Sequence, residues 1–266
     1  MTTQEPEPDQ LAGRGASVSV SGVSKVFQGG QGETVALQDV TFEVEAGQFV
    51  SIIGPSGCGK TTIVRMVGDL LAPTTGEILV DGVKPSVARE NARFGFVFQR
   101  ATLLDWRDLK RNVVLPLDVL RWPRARKRSR SEDLLDLVGL DRFADHFPDQ
   151  VSGGMQQRVS IARALSFDPG ILIMDEPFGA LDMITRDRMG FELLRIWKQS
   201  QKTVLFVTHS IDEAVLLSDK VVAMGTNPGH VEEIVEIGIE RPRVFEHRQD
   251  PRFVEYAQHL RGLLEH

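Results

Sequence analysis

Val18–Val20 and Gln38–Val44 alternate apolar and polar residues, the spacing of strands with one buried face, and the Gly29–Gly32 cluster reads as a turn between them. Phe49–Ile53 has the apolar density of a strand buried on both sides in a parallel sheet. A glycine-rich turn and a helix from about Lys60 follow. Glu77–Val80, ending in Asp81-Gly82, reads as a strand and turn, and Phe94–Phe98 as another buried strand. From about Ala101 to Leu165 the β-rich runs stop. Ser131–Leu140 and Met155–Leu165 carry helical spacing, with Gly139 as a stop for the first. Buried-strand runs return at Ile171–Met174, Thr203–Val207 and Lys220–Met224, with helices between them. Alternating strand and helix on both sides of a helical middle predicts an α/β fold with a mainly parallel sheet and a helical insertion.

Composition narrows the setting. The chain has 266 residues, 41% of them hydrophobic, enough for a large core in one domain with a sizeable insertion. Its net charge of −6 argues against dominant binding to a phosphate backbone and predicts no nucleic-acid partner. A single cysteine, Cys58, excludes an intrachain disulfide. Residues 1–16 are rich in Pro, Glu, Gln and Gly and read as a disordered tail, without the basic start or apolar core of a signal peptide. Apolar runs such as Val50–Ile53 and Ile171–Met174 are far shorter than the roughly 20 residues of a membrane helix. Any membrane role therefore calls for spans supplied by other chains.

Candidate chemistry begins at Gly54-Pro55-Ser56-Gly57-Cys58-Gly59-Lys60-Thr61, followed by Thr62. It fits G-x-x-x-x-G-K-[ST] and lies between a buried strand and a helix, the context this phosphate-binding loop requires. The glycines let backbone N–H groups turn toward phosphates, and the helix N-terminus adds partial positive charge. Lys60 is the candidate ligand of the β- and γ-phosphates, and Thr61 of Mg²⁺. Cys58 reads as a small residue suited to a tight turn. Ile171–Met174 runs into Asp175-Glu176, and neighbouring strand side chains face opposite ways, so the two acids differ in role. Asp175 is placed to hold the metal, and Glu176, just past the strand, to polarise the attacking water. His209 ends a second buried strand, at the sheet edge where ligands of such folds bind, and is a candidate γ-phosphate contact.

Val151-Ser152-Gly153-Gly154-Met155-Gln156-Gln157-Arg158 narrows a P-loop nucleotidase further. A serine and two glycines at a helix start make a second anion-binding terminus. The segment resembles the L-S-G-G-Q signature of ABC ATPases, with Val151 for Leu and Met155 for Gln. That resemblance covers roughly Val18 to Gly225 and implies a P-loop NTPase core of α/β type, with an N-terminal antiparallel β subdomain and a helical subdomain. It divides the chain into a core (17–100 and 166–240), a helical subdomain (101–165) and a C-terminal helical extension (241–266). It also implies roles: Phe27 stacking on adenine, Gln99 sensing Mg²⁺ and the attacking water, Ala180-Leu181-Asp182 as a D-loop crossing a dimer interface, and His209 as the switch histidine. Ser152, Gly153, Gly154 and Met155 of one subunit would cap the ATP held by the other.

Further stretches resemble import ATPases for nitrate, sulfonates and taurine: Gln99 to Arg107, Met174 to Asp182 with Thr185-Arg186, and Thr208 to Ala214. Asp105 stands where that group often has proline. The resemblance implies an ATP-sandwiched homodimer using ATP and Mg²⁺, peripheral on the cytoplasmic face of the inner membrane. Two transmembrane permease subunits would dock near Trp106, and an extracytoplasmic solute-binding protein would act indirectly. A soluble ABC ATPase acting on nucleic acid or ribosomes, or an exporter ATPase, is the alternative. A P-loop kinase would need an acceptor site and gives no reason for Ser152–Gly154. The basic run Arg121 to Arg130 reads as a solvated helix face, with anionic headgroups or an acidic partner loop as the alternative, and Asp250–Leu264 as a helix packing on its own domain through Phe253, Tyr256, Ala257 and Leu260 rather than making a regulatory contact.

Overall fold

The computed structural model describes residues 14–29 and 32–265. Its central sheet has the order β5-β6-β7-β3-β8-β9, built from β3 (Phe49–Ile53), β5 (Phe94–Phe98), β6 (Ile171–Asp175), β7 (Thr203–Val207), β8 (Lys220–Gly225) and β9 (His230–Glu236). All neighbours are parallel except β9, which runs antiparallel to β8. A second, antiparallel sheet has the order β2-β1-β4, from β1 (Val18–Gly29), β2 (Gly32–Val44) and β4 (Thr75–Val80). The α/β class, the mainly parallel sheet and the separate antiparallel sheet are as expected.

Successive side chains of the central strands enter two different cores. Phe49, Leu172, Met174, Val204 and Phe206 face a core shared with the helices, while Val50, Ile52, Ile171, Ile173 and Leu205 face one shared with the small sheet. A strand buried on both faces needs apolar residues at nearly every position, which is why these runs are dense rather than alternating. Phe206 is fully buried, with its ring 5.8 Å from Phe49 and 5.6 Å from Phe178. Burial of such a ring contributes about 1.5–3 kcal/mol.

Helix α1 (Lys60–Val67) buries Ile63, Val64, Met66 and Val67 on one side, the spacing of an amphipathic helix. Helix α2 (Pro85–Glu90) follows β4. Between β5 and β6 lie the short α3 (Leu109–Val113) and α4 (Leu115–Val119), then α5 (Arg124–Leu137) and α6 (Gly153–Leu165). Buried Asn112 ties this insertion to the loop before it, donating to Leu104, Arg107 and Asp108 carbonyls and accepting from Leu104 N. Helices α7 (Met183–Ser200) and α8 (Ile211–Leu217) flank β7, and α9 (Pro251–Leu264) packs Phe253, Ala257 and Leu260 into the core.

Several boundaries differ from expectation. Most of the expected tail lies outside the described residues, but its last residues do not behave as a tail. Ala16 is buried, donates to Gly170 O and accepts from the Thr203 hydroxyl. The first two strands are longer than the alternation showed, because bulges between Val20 and Val26 break the period without ending the pairing. The turn residues 30 and 31 lie outside the described residues. Helix α5 joins the basic run, expected as a helix face, to the helical spacing seen from Ser131, and its first turns are held by charge rather than by apolar contacts. Lys127 pairs with Asp118, Arg128 with Glu132, and Arg130 donates to Leu165 and Ser166 carbonyls. The edge strand β9 was not expected; its half-exposed sequence carries four charged or titratable residues and little apolar signal.

Candidate active site

The strand order decides which residues meet. β3, β7, β6 and β5 are consecutive neighbours, all parallel, so the segments leaving their C-terminal ends share one edge. These segments carry the glycine loop and Lys60, then His209, then Asp175-Glu176, then Gln99. A cavity of about 430 Å³ at this edge is lined by Ser56, Gly57, Gly59, Lys60, Thr61, Thr62, Glu176 and His209.

The loop holds its donors ready. Helix α1 starts with no side-chain cap, so its first N–H groups are left for a ligand. Lys60 Nζ donates to the carbonyls of Gly54 (2.8 Å) and Pro55 (2.9 Å), inside its own loop. Cys58 is fully buried behind the loop, with Sγ 3.7 Å from Lys60 Nζ, and packs as a small residue. The Thr61 hydroxyl donates to Asp175 Oδ1 at 3.0 Å. Burial pushes the Asp175 carboxyl above its usual range, against the hydrogen bond from Thr61. A cation brought to this pair would favour the ionised carboxylate.

Glu176 sits in the left-handed region, with φ at 47°. Such a backbone costs about 1–3 kcal/mol and persists only where neighbours hold it. Here the Glu176 N–H donates to Val207 O, and its carbonyl accepts from Gly179 N, both at 3.0 Å. The result turns its side chain into the cavity, where Oε2 lies 3.5 Å from Nδ1 of His209.

Other candidates lie elsewhere on the chain. Gln99 is exposed and lines a neighbouring cavity of about 390 Å³ with Gly153, Gln156, Pro177 and Leu181. Phe27 does not line the phosphate cavity. It is 41% exposed on β1, with Lys25 Nζ 5.2 Å from its ring centre. Its strand is anchored next to the loop through Leu37, which pairs with Lys25 and packs on Gly59. Ser152 caps α6, accepting from Met155 N at 3.3 Å, and both Ser152 and Gly153 are exposed. The segment from Ser152 to Met155 contributes nothing to the cavity of its own chain. Asp182 caps α7 by accepting from Thr185 N.

Sequence reasoning missed the side chains that hold the Gln99 segment. Gln157 donates to Phe98 O, and Arg163 donates to the carbonyls of Ala101 and Thr102, so α6 is tied to the end of β5 and the loop after it. No sequence period marks these residues; only their burial on α6 does. Trp106 is 74% exposed and, with Arg107, Lys110, Arg111, Arg124 and Lys127, lines a groove of about 960 Å³ on the helical insertion. Among the described residues no helix is long and apolar enough to cross a membrane.

Comparison with known proteins shows the family. Residues 37–179 match the family described as ABC transporter. The chain is 40% identical to the aliphatic sulfonates import ATP-binding protein SsuB of Bacillus thuringiensis, over 85% of this chain and 88% of that one. It is also 40% identical to the taurine import ATP-binding protein TauB of Roseobacter denitrificans, over 80% of each chain. The dimeric ATP-binding cassette MJ0796, solved in a post-hydrolysis state bound to ADP and Pi, superposes with a TM-score of 0.72 at 34% identity, covering 84% of this chain and all of that one. With a phosphate loop, an acidic strand end and a histidine meeting at one sheet edge, and with relatives matched over most of its length, this chain belongs to the ATP-hydrolysing ATP-binding subunits of the ABC transporter family.

Proposed function

We propose that this chain energises the import of a small solute of the nitrate, sulfonate or taurine kind, or a vitamin precursor, through two separate membrane subunits served by an extracytoplasmic solute-binding protein. The observation that carries the reading is the division of the site. Lys60, Glu176 and His209 line one cavity, while the exposed helix start at Ser152 stands outside it on the same chain. A second copy, related by a two-fold axis, would bring its Ser152–Met155 segment to this cavity and receive the same in return.

The residues fit ATP and Mg²⁺. Thr61 and Asp175 already pair at 3.0 Å, and Gln99 follows the adjacent strand. Among the described residues no cluster of three or more His, Cys, Asp or Glu could hold a metal, which suits an ion bound by one or two side chains plus substrate phosphates. When bound there, Mg²⁺ neutralises phosphate charge and acts as a Lewis acid. Lys60 exchanges its two loop carbonyls for the β- and γ-phosphate oxygens. Phe27 offers its ring to adenine. Glu176 accepts a hydrogen bond from the attacking water and draws its proton, while His209 orients Glu176 and contacts the γ-phosphate. Water adds to the γ-phosphorus, ADP leaves, and phosphate is released. Loss of the γ-phosphate removes a ligand held from both copies, so the pair opens. Its preference for the closed form is set by how much more tightly ATP binds there.

The groove beside Trp106 is where a membrane subunit would dock, placing the chain peripherally on the cytoplasmic face. The SsuB and TauB likenesses support import over export and over a soluble role. Glu176→Gln should bind ATP, lose hydrolysis by about 10²–10⁴-fold and accumulate as a dimer seen by light scattering. Turnover near the wild-type rate would refute the assignment of Glu176. Purification from native membranes in mild detergent should bring down a multi-span subunit; soluble partners alone would overturn the transport reading.

A further inference from the structure

Glu213 is a buried carboxylate with no part in the chemistry above, yet its two oxygens reach two loops of the site. Oε2 accepts the Thr208 hydroxyl proton at 2.6 Å, and Thr208 Oγ1 in turn accepts from Ser210 N at 3.0 Å. The residue between them is His209. Oε1 lies 3.6 Å from Nε of Arg186, whose Nη2 donates to Leu181 O, the carbonyl just before Asp182.

The arrangement departs from an ordinary helix cap. Ser210 and Glu213 stand in the S-x-x-E spacing of a capping box, and Glu213 N does donate to Ser210 Oγ. In that motif the glutamate would return to the N–H of Ser210. Here Thr208 takes that N–H, and the carboxylate is released to hold Thr208 and face Arg186. Thr208 is 3% exposed and its own N–H donates to Ile52 O, the strand that feeds the phosphate loop. A charged group is costly to bury unless it is paired, so this carboxylate needs both neighbours.

We propose that Glu213 is a positioning residue that sets the stance of His209 through Thr208 and couples it, through Arg186, to the Leu181-Asp182 segment. A change at the γ-phosphate sensed by His209 then reaches the segment assigned to the dimer interface within one chain. Arg248, which grips Asp187 with hydrogen bonds of 2.7 and 2.8 Å, anchors α7 at the residue next to Arg186. The inference rests on the roles proposed for His209 and Asp182.

The test compares full-length variants in steady-state ATP hydrolysis, monomer affinity for a fluorescent ATP analogue, and thermal unfolding. Glu213→Ala should lower kcat about tenfold or more with nucleotide affinity within about twofold of wild type, because the phosphate loop is untouched. Thr208→Val, which removes one hydroxyl and keeps the volume, should reproduce that loss, and the double variant should add little to it. Glu213→Gln keeps an acceptor for Thr208 and loses the ion pair, so it should fall between. A merely structural role would lower unfolding temperature and nucleotide affinity together and give additive losses; that outcome, or a wild-type kcat for Glu213→Ala, overturns the proposal. His209→Ala, run in parallel, separates the two levels. If it hydrolyses normally, the proposed site fails and this coupling with it. If it is inactive while Thr208→Val and Glu213→Ala are not, only the coupling fails.

Discussion

Replacing Gly57 or Gly59 by alanine should injure the phosphate loop to different and calculable extents. Both glycines are in the left-handed region, with φ at 84° and 95°. An L-residue there costs about 1–2 kcal/mol. A Cβ on Gly57 meets no protein atom within 4 Å, so within the free protein strain is the whole penalty. A Cβ on Gly59 would lie 2.4 Å from Cδ2 of Leu37 and 3.0 Å from its Cγ. Leu37 is fully buried in the core beneath the small sheet and has little room to retreat. Overpacking of this kind adds about 1–3 kcal/mol. Gly57→Ala should therefore cost about 1–2 kcal/mol, and Gly59→Ala about 2–5 kcal/mol, by adding the strain and overpacking terms.

The assay is ATP affinity by calorimetry together with urea unfolding of the free protein, because the loop can relax in either state and the two losses must be summed. Carried wholly by affinity, the penalties are about five- to thirtyfold for Gly57→Ala and about thirtyfold to several thousandfold for Gly59→Ala. Leu37→Ala in the Gly59→Ala background should recover the steric share of ATP affinity and leave the backbone share. Equal penalties at the two glycines, or no rescue by Leu37→Ala, would refute the reasoning, since the first denies the contact and the second denies its cause.

Lys60→Ala should weaken ATP binding by about ten- to a hundredfold, the worth of charge-assisted bonds to phosphate; calorimetry that finds affinity unchanged would contradict the loop assignment. Arg243 is buried, its pKa drawn down to about 10 by that burial, and it donates to carbonyls of Val215, Leu216, Ser218, Ile237 and Ile239. Arg243→Ala leaves these acceptors unpaired and should cost at least ~3 kcal/mol in urea unfolding, with the nucleotide site intact. Burial raises the Glu213 carboxyl above its ordinary range, opposed by Thr208 and Arg186. The folded state thus binds this proton more tightly than the unfolded chain, so its contribution is full below the unfolded value and is lost as pH rises through the raised native value. Glu213→Gln should therefore gain stability relative to wild type as pH rises across that window, and a constant difference from acid to neutral pH would contradict the sign.

The legible parts of the chain are those where a residue's neighbours in space are dictated by its neighbours in sequence. β3, β5 and β7 begin and end where the apolar runs do, because a strand buried on both faces is apolar at nearly every position; the exceptions, Ser51 and Thr203, are buried with hydrogen-bond partners. The phosphate loop is continuous in the chain, and its strand and helix flank it directly. Asp175 and Glu176 were separable in direction, and the structure gives them different neighbours, Thr61 and His209. The Ser152 helix start was visible from one serine and two glycines. By contrast, β9 and the contacts of α5 rest on half-exposed, charge-rich sequence whose partners lie far along the chain, such as His259 for Glu233 and Ser166 for Arg130.

By itself, then, the amino-acid sequence determined the α/β class, the two-sided central strands, the strand–loop–helix setting of Gly54–Thr61 and the family. Tertiary structure alone decided that His209 stands 3.5 Å from Glu176, that Leu37 walls the loop at Gly59, and that the carboxylate of Glu213 leaves its own helix cap to bridge Thr208 and Arg186. The reason is physical. Local patterns record burial and backbone preference, which each residue expresses with its near neighbours. Strand order, and the pairing of buried charges across it, is settled only when the whole sheet closes.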